Sequence, residues 1–315
     1  MYALRGYGRV TADPRRAAAY ERALARVIGP STAVLDLGCG MGLFSLFARR
    51  AGARRVYAIE QCPVIELARE IAAANDADRI EFIAGSSRTV ELPERVDVVV
   101  SDIRGLLPLH FDSVASLIDA RERFLKPGGV LVPCAESIHA AVVSAPITYE
   151  STVGLWDAGP AGLDLTPARR AAAQTLDRMA SGDGTLLTEP SEWIAIDYRR
   201  VRTISFERTL RWTIASAGVA HGVMLWFEST LADGIVLSSA PDQPPLVYGR
   251  AFLPWPIAVA VATNEHVEVA LRADCVDDEY VWTWRTTIER DGCVLQRFSQ
   301  STFAGAFIDT AKLRS

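Results

Sequence analysis

The sequence predicts an α/β domain with a parallel sheet, followed by a β-rich domain. Two observations indicate this order. Strand-like and helix-like runs alternate up to about residue 135, as expected for parallel strands wound with helices. After residue 135 the runs become short and alternate apolar with polar residues, which is typical of antiparallel strands. A chain of 315 residues commonly forms two domains and can bury a sizeable core.

The first elements follow from local sequence signals. Asp13 is a good N-cap and Pro14 suits the first helical position, so a helix is predicted over 14–28. Strands and helices then alternate. The predicted strands are 33–37, 56–60, 80–84, 96–101 and 130–133, and the predicted helices are 43–50, 63–74 and about 112–125.

The second domain has strand signatures at 139–144, 208–213, 224–228 and 280–285. Residues 155–190 interrupt this pattern, and a helix is predicted there over 167–179. The predicted organisation is an N-terminal helical segment (1–30), an α/β domain (31–135) and a β-rich domain (136–315) with an insertion at about 155–190.

Composition and charge exclude several classes of partner. The net charge of −5 disfavours nucleic acid, because phosphate binding needs concentrated Lys and Arg. The apolar stretches are far shorter than the roughly 20 residues of a membrane-spanning helix. The N-terminus lacks the apolar region of a secretory signal, so we expect a cytoplasmic protein with no membrane partner. The five cysteines lack CxxC spacing and predict neither disulfides nor a metal site.

A glycine-rich turn is the clearest ligand signal. Gly38, Gly40 and Gly42 stand at alternate positions between a strand and a helix, where glycine lets a ligand approach the turning backbone closely. Glu60 ends the next strand, where a carboxylate can accept hydrogen bonds from both ribose hydroxyls of an adenosine. The GxGxG spacing differs from the GxGxxG of pyrophosphate binders. It favours S-adenosylmethionine as the cofactor, and the alternative is a glycine turn without a ligand.

The segment VLDLGCGMGLFSLFARRAGARRVYAIEQC resembles the nucleotide-binding core of class I methyltransferases, and specifically that of the protein arginine methyltransferase family. The resemblance continues through VDVVVSD and FLKPGGVLVP and covers nearly the whole chain. It implies a Rossmann-like methyltransferase domain followed by a β-barrel-like domain. It also implies that the insertion is a helical dimerisation arm, and hence a homodimer.

The resemblance also implies roles at the cofactor. The pattern Asp13-x-x-Arg16-x-x-x-Tyr20 is similar to the family's helix, whose arginine meets the cofactor carboxylate. Arg16 is therefore expected in that role, with Arg15 as the alternative. Where the family has acids that meet the adenine, this chain has Ser87 and Arg88, so adenine recognition is either looser or uses Ser87. The residues predicted at the cofactor are Arg16, Asp36, Gly38, Gly40, Gly42, Glu60, Gln61, Ser87 and Ser101.

In this family the loop after the fourth strand holds two glutamates that clamp the substrate guanidinium. The matching acids here are Asp102 and Asp112, which are shorter and lie one residue further apart than the family's acids. Misplacement on the order of 1 Å can cost about 100-fold in rate. The family's Thr-His-Trp loop is also altered, because Leu246, Val247 and Tyr248 stand in its place. We therefore predict retained cofactor binding with a changed acceptor.

Several residues of the loop at 101–113 have two interpretations. Asp102 and Asp112 are predicted to be catalytic, but Asp112 also suits a helix N-cap. His110 is either a proton acceptor that titrates near neutrality or a loop histidine without a role. Arg104 either binds an acceptor carboxylate or lies in solvent.

The predicted function is S-adenosylmethionine-dependent N-methylation of a guanidine or amine acceptor. That acceptor is arginine-like, a peptide or a small metabolite. The alternatives are O- or C-methylation on the same fold, or a catalytically inactive cofactor-binding regulatory protein.

Overall fold

The computed structural model describes residues 4–305, which divide into two compact units. The first unit holds the residues up to Ser137 together with Ala195–Ile204 and Phe227–Tyr248. The second holds Ile138–Ile194, Ser205–Trp226 and the residues from Gly249 onward.

This division differs from the predicted boundary at residue 135, because two later segments return to the first unit. Phe227, Leu231 and Tyr248 are buried in the same hydrophobic core as Leu24 and Phe44 of the N-terminal half. An apolar residue in a strand-like run does not itself reveal which core it joins, so the pattern alone assigned these segments to the β-rich domain.

The first unit contains a five-stranded parallel sheet in the order β3-β2-β1-β4-β5. The strand order reverses between β1 and β4, and ligands of open α/β sheets bind outside the carboxyl ends of the strands at such a point. The strands are β1 Ala33–Leu37, β2 Arg55–Glu60, β3 Ile80–Ala84, β4 Val96–Ser101 and β5 Leu125–Val132. The helices are α1 Leu4–Thr11, α2 Pro14–Val27, α3 Leu43–Arg50, α4 Val64–Ala74 and α5 Ser113–Arg123.

Helix α2 begins as predicted, because the Asp13 side chain accepts hydrogen bonds from the backbone N–H groups of Arg15 and Arg16. One face of α2 is buried, and its Tyr20 ring stacks on Phe44 of α3 with centroids 4.2 Å apart. The Tyr20 hydroxyl donates to the Ser101 carbonyl at 3.3 Å. The helix therefore presents Tyr20 and Arg16 to the carboxyl end of β4.

The second unit is barrel-like and built from two antiparallel sheets, with strand orders β10-β14-β15-β16 and β7-β13-β11-β6-β8. Strands β6, β9 and β11 each have residues in both units, and β12 pairs with the end of β11 that belongs to the first unit. The strands are β6 Ala135–Ser144, β7 Asp177–Arg178, β8 Thr185–Leu186, β9 Ser191–Asp197, β10 Phe206–Thr213, β11 Gly218–Ala232, β12 Ile235–Ser238, β13 Ala251–Val261, β14 His266–Val276, β15 Glu279–Arg290 and β16 Cys293–Ser301.

The segment after β6 is only partly helical. Its helices are α6 Pro146–Thr152 and α7 Thr166–Ala172, and a short helix α8 Thr302–Gly305 follows β16. The predicted helix over 167–179 is too long, because Asp177 and Arg178 pair with β13 instead. The Thr175 hydroxyl donates to the Ala172 carbonyl at 2.7 Å where α7 ends. No helix among residues 4–305 combines the length and apolar character needed to span a bilayer.

Candidate active site

The glycine turn after β1 has the backbone that its sequence requires. Gly38, Gly40 and Gly42 have φ angles of 71°, 54° and 79°, a region that other residues rarely adopt. A Cβ atom on Gly38 would lie 2.8 Å from the Ile103 side chain, and one on Gly40 would lie 3.3 Å from the Tyr7 ring. The turn therefore leaves little room for side chains at Gly38 and Gly40, and of its three glycines only Gly38 is exposed.

Glu60 lies at the tip of β2, next to this turn. Its Oε2 accepts from the Gly40 amide at 3.0 Å, and its Oε1 accepts from the Cys62 amide at 2.9 Å. These two bonds fix the carboxylate between the ends of β1 and β2. The sequence predicts a carboxylate at this position that accepts hydrogen bonds from the ribose hydroxyls.

The buried carboxylate of Asp36 has a hydrogen-bond partner for only one of its two oxygens. Its Oδ2 accepts from the Ser45 hydroxyl at 2.6 Å, whereas its Oδ1 has no hydrogen-bond partner in the described part of the chain. Burial raises the pKa of Asp36 to about 7, although the Ser45 bonds oppose this. An unpaired buried acceptor beside the glycine turn fits a ligand that carries hydrogen-bond donors.

Arg16 lies between the glycine-turn elements and β4. Its Nε donates to Asp102 Oδ2 at 2.5 Å and to the Tyr248 hydroxyl at 2.7 Å, and its Cζ lies 4.5 Å from the centre of the Phe44 ring. Burial lowers the pKa of Arg16, but the neighbouring Asp102 carboxylate outweighs this and the net pKa is raised. Arg15 points elsewhere and donates to the Pro244 carbonyl. Among residues 4–305, Nη2 of Arg16 has no hydrogen-bond partner.

Asp102 is fully engaged by the protein itself. Its Oδ1 accepts from Tyr20 at 3.0 Å and from Arg104 Nε at 2.5 Å, and its Oδ2 accepts from Arg16 and Tyr248. Burial raises the pKa of Asp102, but Arg16 and Arg104 outweigh it, so the net pKa is lowered. A carboxylate offers about four acceptor positions, and all of them are used here. This arrangement differs from the predicted acceptor clamp, because no position remains for an acceptor nitrogen.

Arg104 contradicts both of its predicted roles, because it neither lies in solvent nor faces an open pocket. Its side chain is 2% exposed. Besides the bond to Asp102, its Nη2 lies 2.7 Å from Glu136 Oε1 and its Nη1 donates to the Ser229 hydroxyl at 2.9 Å. The guanidinium also stacks over the Phe227 ring, with Cζ 4.6 Å from the ring centre.

Asp112 has a different environment, at the other end of the loop. Its Oδ2 lies 3.0 Å from Nη2 of Arg88 and accepts from the Ser116 hydroxyl at 2.9 Å. Asp112 occupies the N-cap position of α5, as one interpretation predicted, but its side chain makes no capping hydrogen bond to the helix. The side chains of Asp112 and Arg88 are 29% and 40% exposed, so solvent reaches this pair.

His110 packs inside the same loop. A Cβ atom on Gly105 would lie 2.8 Å from its Nδ1, which shows how closely the ring covers that glycine. Its backbone amide and carbonyl both bond to Ser113. Burial lowers the pKa of His110, so the imidazole is neutral at pH 7.

The other predicted cofactor residues occupy the same sheet edge. The Ser101 hydroxyl donates to the Leu37 carbonyl at 3.0 Å and ties the ends of β4 and β1 together. The Ser87 carbonyl accepts from Arg123 at 2.8 Å, whereas Gln61 is exposed in the turn after β2. Their contacts with a ligand remain predictions.

Sequence reasoning missed Glu136 and Ser229. Neither residue belongs to a recognisable motif. Each lies in a strand-like run far along the chain from Arg104, so no sequence signal links it to that arginine. The position of Tyr20 could have been anticipated, because it follows Arg16 by four residues and thus shares its helix face.

The glycine turn, Asp36 and Glu60 lie at the switch point of the sheet and fit the S-adenosylmethionine that the sequence predicts. When bound, this cofactor supplies a methyl group on a sulfonium. The family described as "Methyltransferase domain" matches residues 34–129.

Known relatives narrow the class. The chain is 31% identical over 276 residues to an arginine N(omega)-methyltransferase of Streptomyces achromogenes, covering 82% of this chain and 73% of that protein. It is 32% identical over 203 residues to a probable protein arginine N-methyltransferase 6 of Arabidopsis thaliana, covering 62% of this chain but only 46% of that protein. The chain therefore belongs to the arginine N-methyltransferase family, and it is an S-adenosylmethionine-dependent methyltransferase.

A solved structure shows the same fold. The Trypanosoma brucei PRMT1 enzyme-prozyme heterotetrameric complex with AdoHcy is similar with a TM-score of 0.84 at 21% identity, covering 94% of this chain and 96% of that chain. The predicted Rossmann-like core and barrel-like domain are thus confirmed.

The buried carboxyl of Asp36 should make stability depend on pH. Its pKa is about 7 in the folded chain, whereas an unfolded carboxyl ionises near its usual pKa. Between about pH 4 and pH 7 the unfolded chain therefore releases a proton that the folded chain keeps, so the free energy of unfolding should fall as pH rises and level off above pH 7.

Urea unfolding of the wild type and Asp36→Asn across this range measures the effect. The Asn variant should lack this decline. Ser45→Ala is the matched variant, and it should extend the decline to higher pH because it removes a bond that stabilises the ionised form. Identical pH profiles for all three proteins would contradict the assignment.

Proposed function

We propose that the enzyme methylates a guanidino nitrogen of an arginine-type acceptor and that Asp112 is the carboxylate that binds this acceptor. The observation that carries the proposal is the Asp112–Arg88 pair. Asp112 Oδ2 lies 3.0 Å from a guanidinium nitrogen at a site that solvent reaches. The carboxylate is therefore already placed to hold a guanidinium, and exchange of one guanidinium for another is a small step.

Energetics favour Asp112 over Asp102 for this role. Exposed ion pairs contribute at most about 1 kcal/mol, so an acceptor competes easily with Arg88. Removing one partner from a buried pair costs roughly 3–5 kcal/mol, so displacing Arg16 or Arg104 from Asp102 would be far more expensive. An acceptor cation therefore reaches Asp112 more readily than Asp102.

The chemical step asks little of the protein beyond positioning. The cofactor would supply the methyl group and keep the electron pair of the broken carbon–sulfur bond, and the acceptor nitrogen would bond to the methyl carbon and release a proton. Asp112 holds the guanidinium in place during this exchange. His110 is neutral at pH 7 because burial lowers its pKa, so it is available to accept the proton.

At the cofactor end we propose roles for the residues around the glycine turn. Glu60 binds the ribose hydroxyls, Asp36 offers its unpaired oxygen to a donor, and Arg16 meets the carboxylate of the amino-acid part through Nη2. The proposal for Arg16 is supported by its place against Phe44, the second residue of the helix after the turn.

The names of the relatives support arginine as the methyl acceptor, either as free arginine or as arginine within a protein. Both sources present the same guanidinium to Asp112. An assay that follows the labelled methyl group from S-adenosylmethionine should therefore include free arginine, an arginine peptide, a lysine peptide and a serine peptide.

Asp112→Asn should lower kcat/KM for the arginine acceptor about 10- to 100-fold, the range expected for losing a hydrogen bond to a charged group. Affinity for S-adenosylhomocysteine should be unchanged. Asp119→Asn is a matched control, because Asp119 has a similar exposure of 28% and pairs with Arg123 on the same helix. Radiolabel transfer and calorimetry give the two readouts.

Full activity of Asp112→Asn would remove Asp112 from acceptor binding. Methyl transfer to the lysine or serine peptide, with none to arginine, would show that arginine is not the acceptor. Tight cofactor binding without transfer to any acceptor would favour the alternative of an inactive cofactor-binding protein.

We also propose that the enzyme forms a homodimer through the segment 146–172. Ile147, Leu155 and Leu163 are large apolar residues of this segment that are 62%, 51% and 62% exposed. A second copy of the chain would cover this apolar surface.

Leu163→Glu should convert a dimer into a monomer, because a charge in an apolar interface must be desolvated. Sedimentation equilibrium of the wild type and the variant measures this. Val236→Glu is the matched control, because Val236 is 53% exposed in the first unit. A monomeric wild type, or a variant that dimerises as the wild type does, would refute the proposed contact.

A further inference from the structure

Four buried side chains of alternating charge form a continuous series in the first unit. Glu136 pairs with Arg104 at 2.7 Å, Arg104 pairs with Asp102 at 2.5 Å, and Asp102 pairs with Arg16 at 2.5 Å. None of the four side chains is more than 8% exposed. We call this set the charge series. It leads from the start of β6 to the arginine beside the glycine turn.

We propose that the charge series fixes the position of Arg16 for the carboxylate of the cofactor, which makes Asp102 a positioning residue of the cofactor site. This inference rests on the role proposed for Arg16 above. It assigns Asp102 to the cofactor side of the reaction, whereas its place in the loop suggested an acceptor clamp.

The geometry at Arg16 supports this role. Asp102 and Tyr248 engage only Nε, and Val10 accepts from Nη1 at 3.3 Å. Phe44 covers the guanidinium with a Cζ-to-centroid distance of 4.5 Å. These contacts fix the plane of the guanidinium while leaving Nη2 for a ligand. Arg16 also lies near enough to Asp36 for its charge to lower the pKa of that carboxyl.

The rest of the charge series keeps Asp102 from moving. Arg104 is itself held by Glu136 and Ser229, and Glu136 also accepts from the Tyr198 hydroxyl at 2.5 Å. The charge series as a whole is neutral, because its two arginines are balanced by two carboxylates. A buried pair that is fully hydrogen-bonded is costly to break, so Asp102 presents a fixed anchor to Arg16.

The test compares two ligands that differ at the group Arg16 would contact. S-adenosylhomocysteine carries the amino-acid carboxylate, whereas methylthioadenosine lacks the amino-acid part and keeps the adenosine. Asp102→Asn should weaken S-adenosylhomocysteine about 10- to 100-fold, which is the effect of losing a hydrogen bond to a charged group. It should leave the affinity for methylthioadenosine unchanged. Calorimetry measures both affinities, and Arg16→Gln should show the same selectivity.

Tyr248→Phe provides a variant that keeps every charge. It removes the hydroxyl that bonds both Arg16 and Asp102, so it should weaken S-adenosylhomocysteine selectively and by less than Asp102→Asn. This variant carries the test if Asp102→Asn does not fold. Tyr57→Phe is the matched control, because its hydroxyl bonds to Glu94 in the same unit without contacting the charge series.

Three outcomes would overturn the inference. Equal loss of both ligands would show a merely structural role. Unchanged binding of both ligands by Asp102→Asn would show that Asp102 does not position Arg16 for the cofactor. Additive losses in Arg16→Gln/Asp102→Asn would show that the two residues act separately. These readouts need no acceptor, so they stand apart from a failure to methylate arginine.

Discussion

The buried ion pair between Arg16 and Asp102 is the contact on which the rest of the site depends. It joins the N-terminal helix α2 to the end of β4, and both side chains are nearly inaccessible to solvent. Pairs of this kind stabilise a fold weakly in net terms, because desolvation of both charges offsets their attraction. Their main effect is geometric. Because Asp102 binds Arg16 and Arg104, the loop that follows β4 has a fixed beginning.

The two acids of that loop thereby have different environments. Asp102 is surrounded by donors from Tyr20, Tyr248 and two arginines, and its charge is neutralised inside the protein. Asp112 keeps contact with water and with Arg88. The difference arises from burial, since the two residues are chemically identical.

The sequence predicted the parallel sheet closely, because its signals are local. The strands 33–37, 80–84 and 96–101 coincide with the observed ones, and the glycine turn and Glu60 are where their spacing indicated. Asp102 was placed in the correct loop, but its environment could not be predicted. The partners of Arg104 and Asp102 include Glu136, Ser229 and Tyr248, which lie 32 or more residues further along the chain than Arg104. No local sequence pattern predicts such distant contacts. For the same reason, the sequence did not predict that Phe227 and Tyr248 pack in the core of the first unit.

That return has a consequence for biosynthesis. The core around α2 and α3 includes Phe227 and Tyr248, so it is incomplete until the ribosome has passed residue 248. Domains often fold as they emerge during translation. Here the nucleotide-binding half must wait for much of the β-rich half to be translated first. A fragment cut after β5 would expose apolar surface that those later residues cover, and it would be a poor candidate for expression alone.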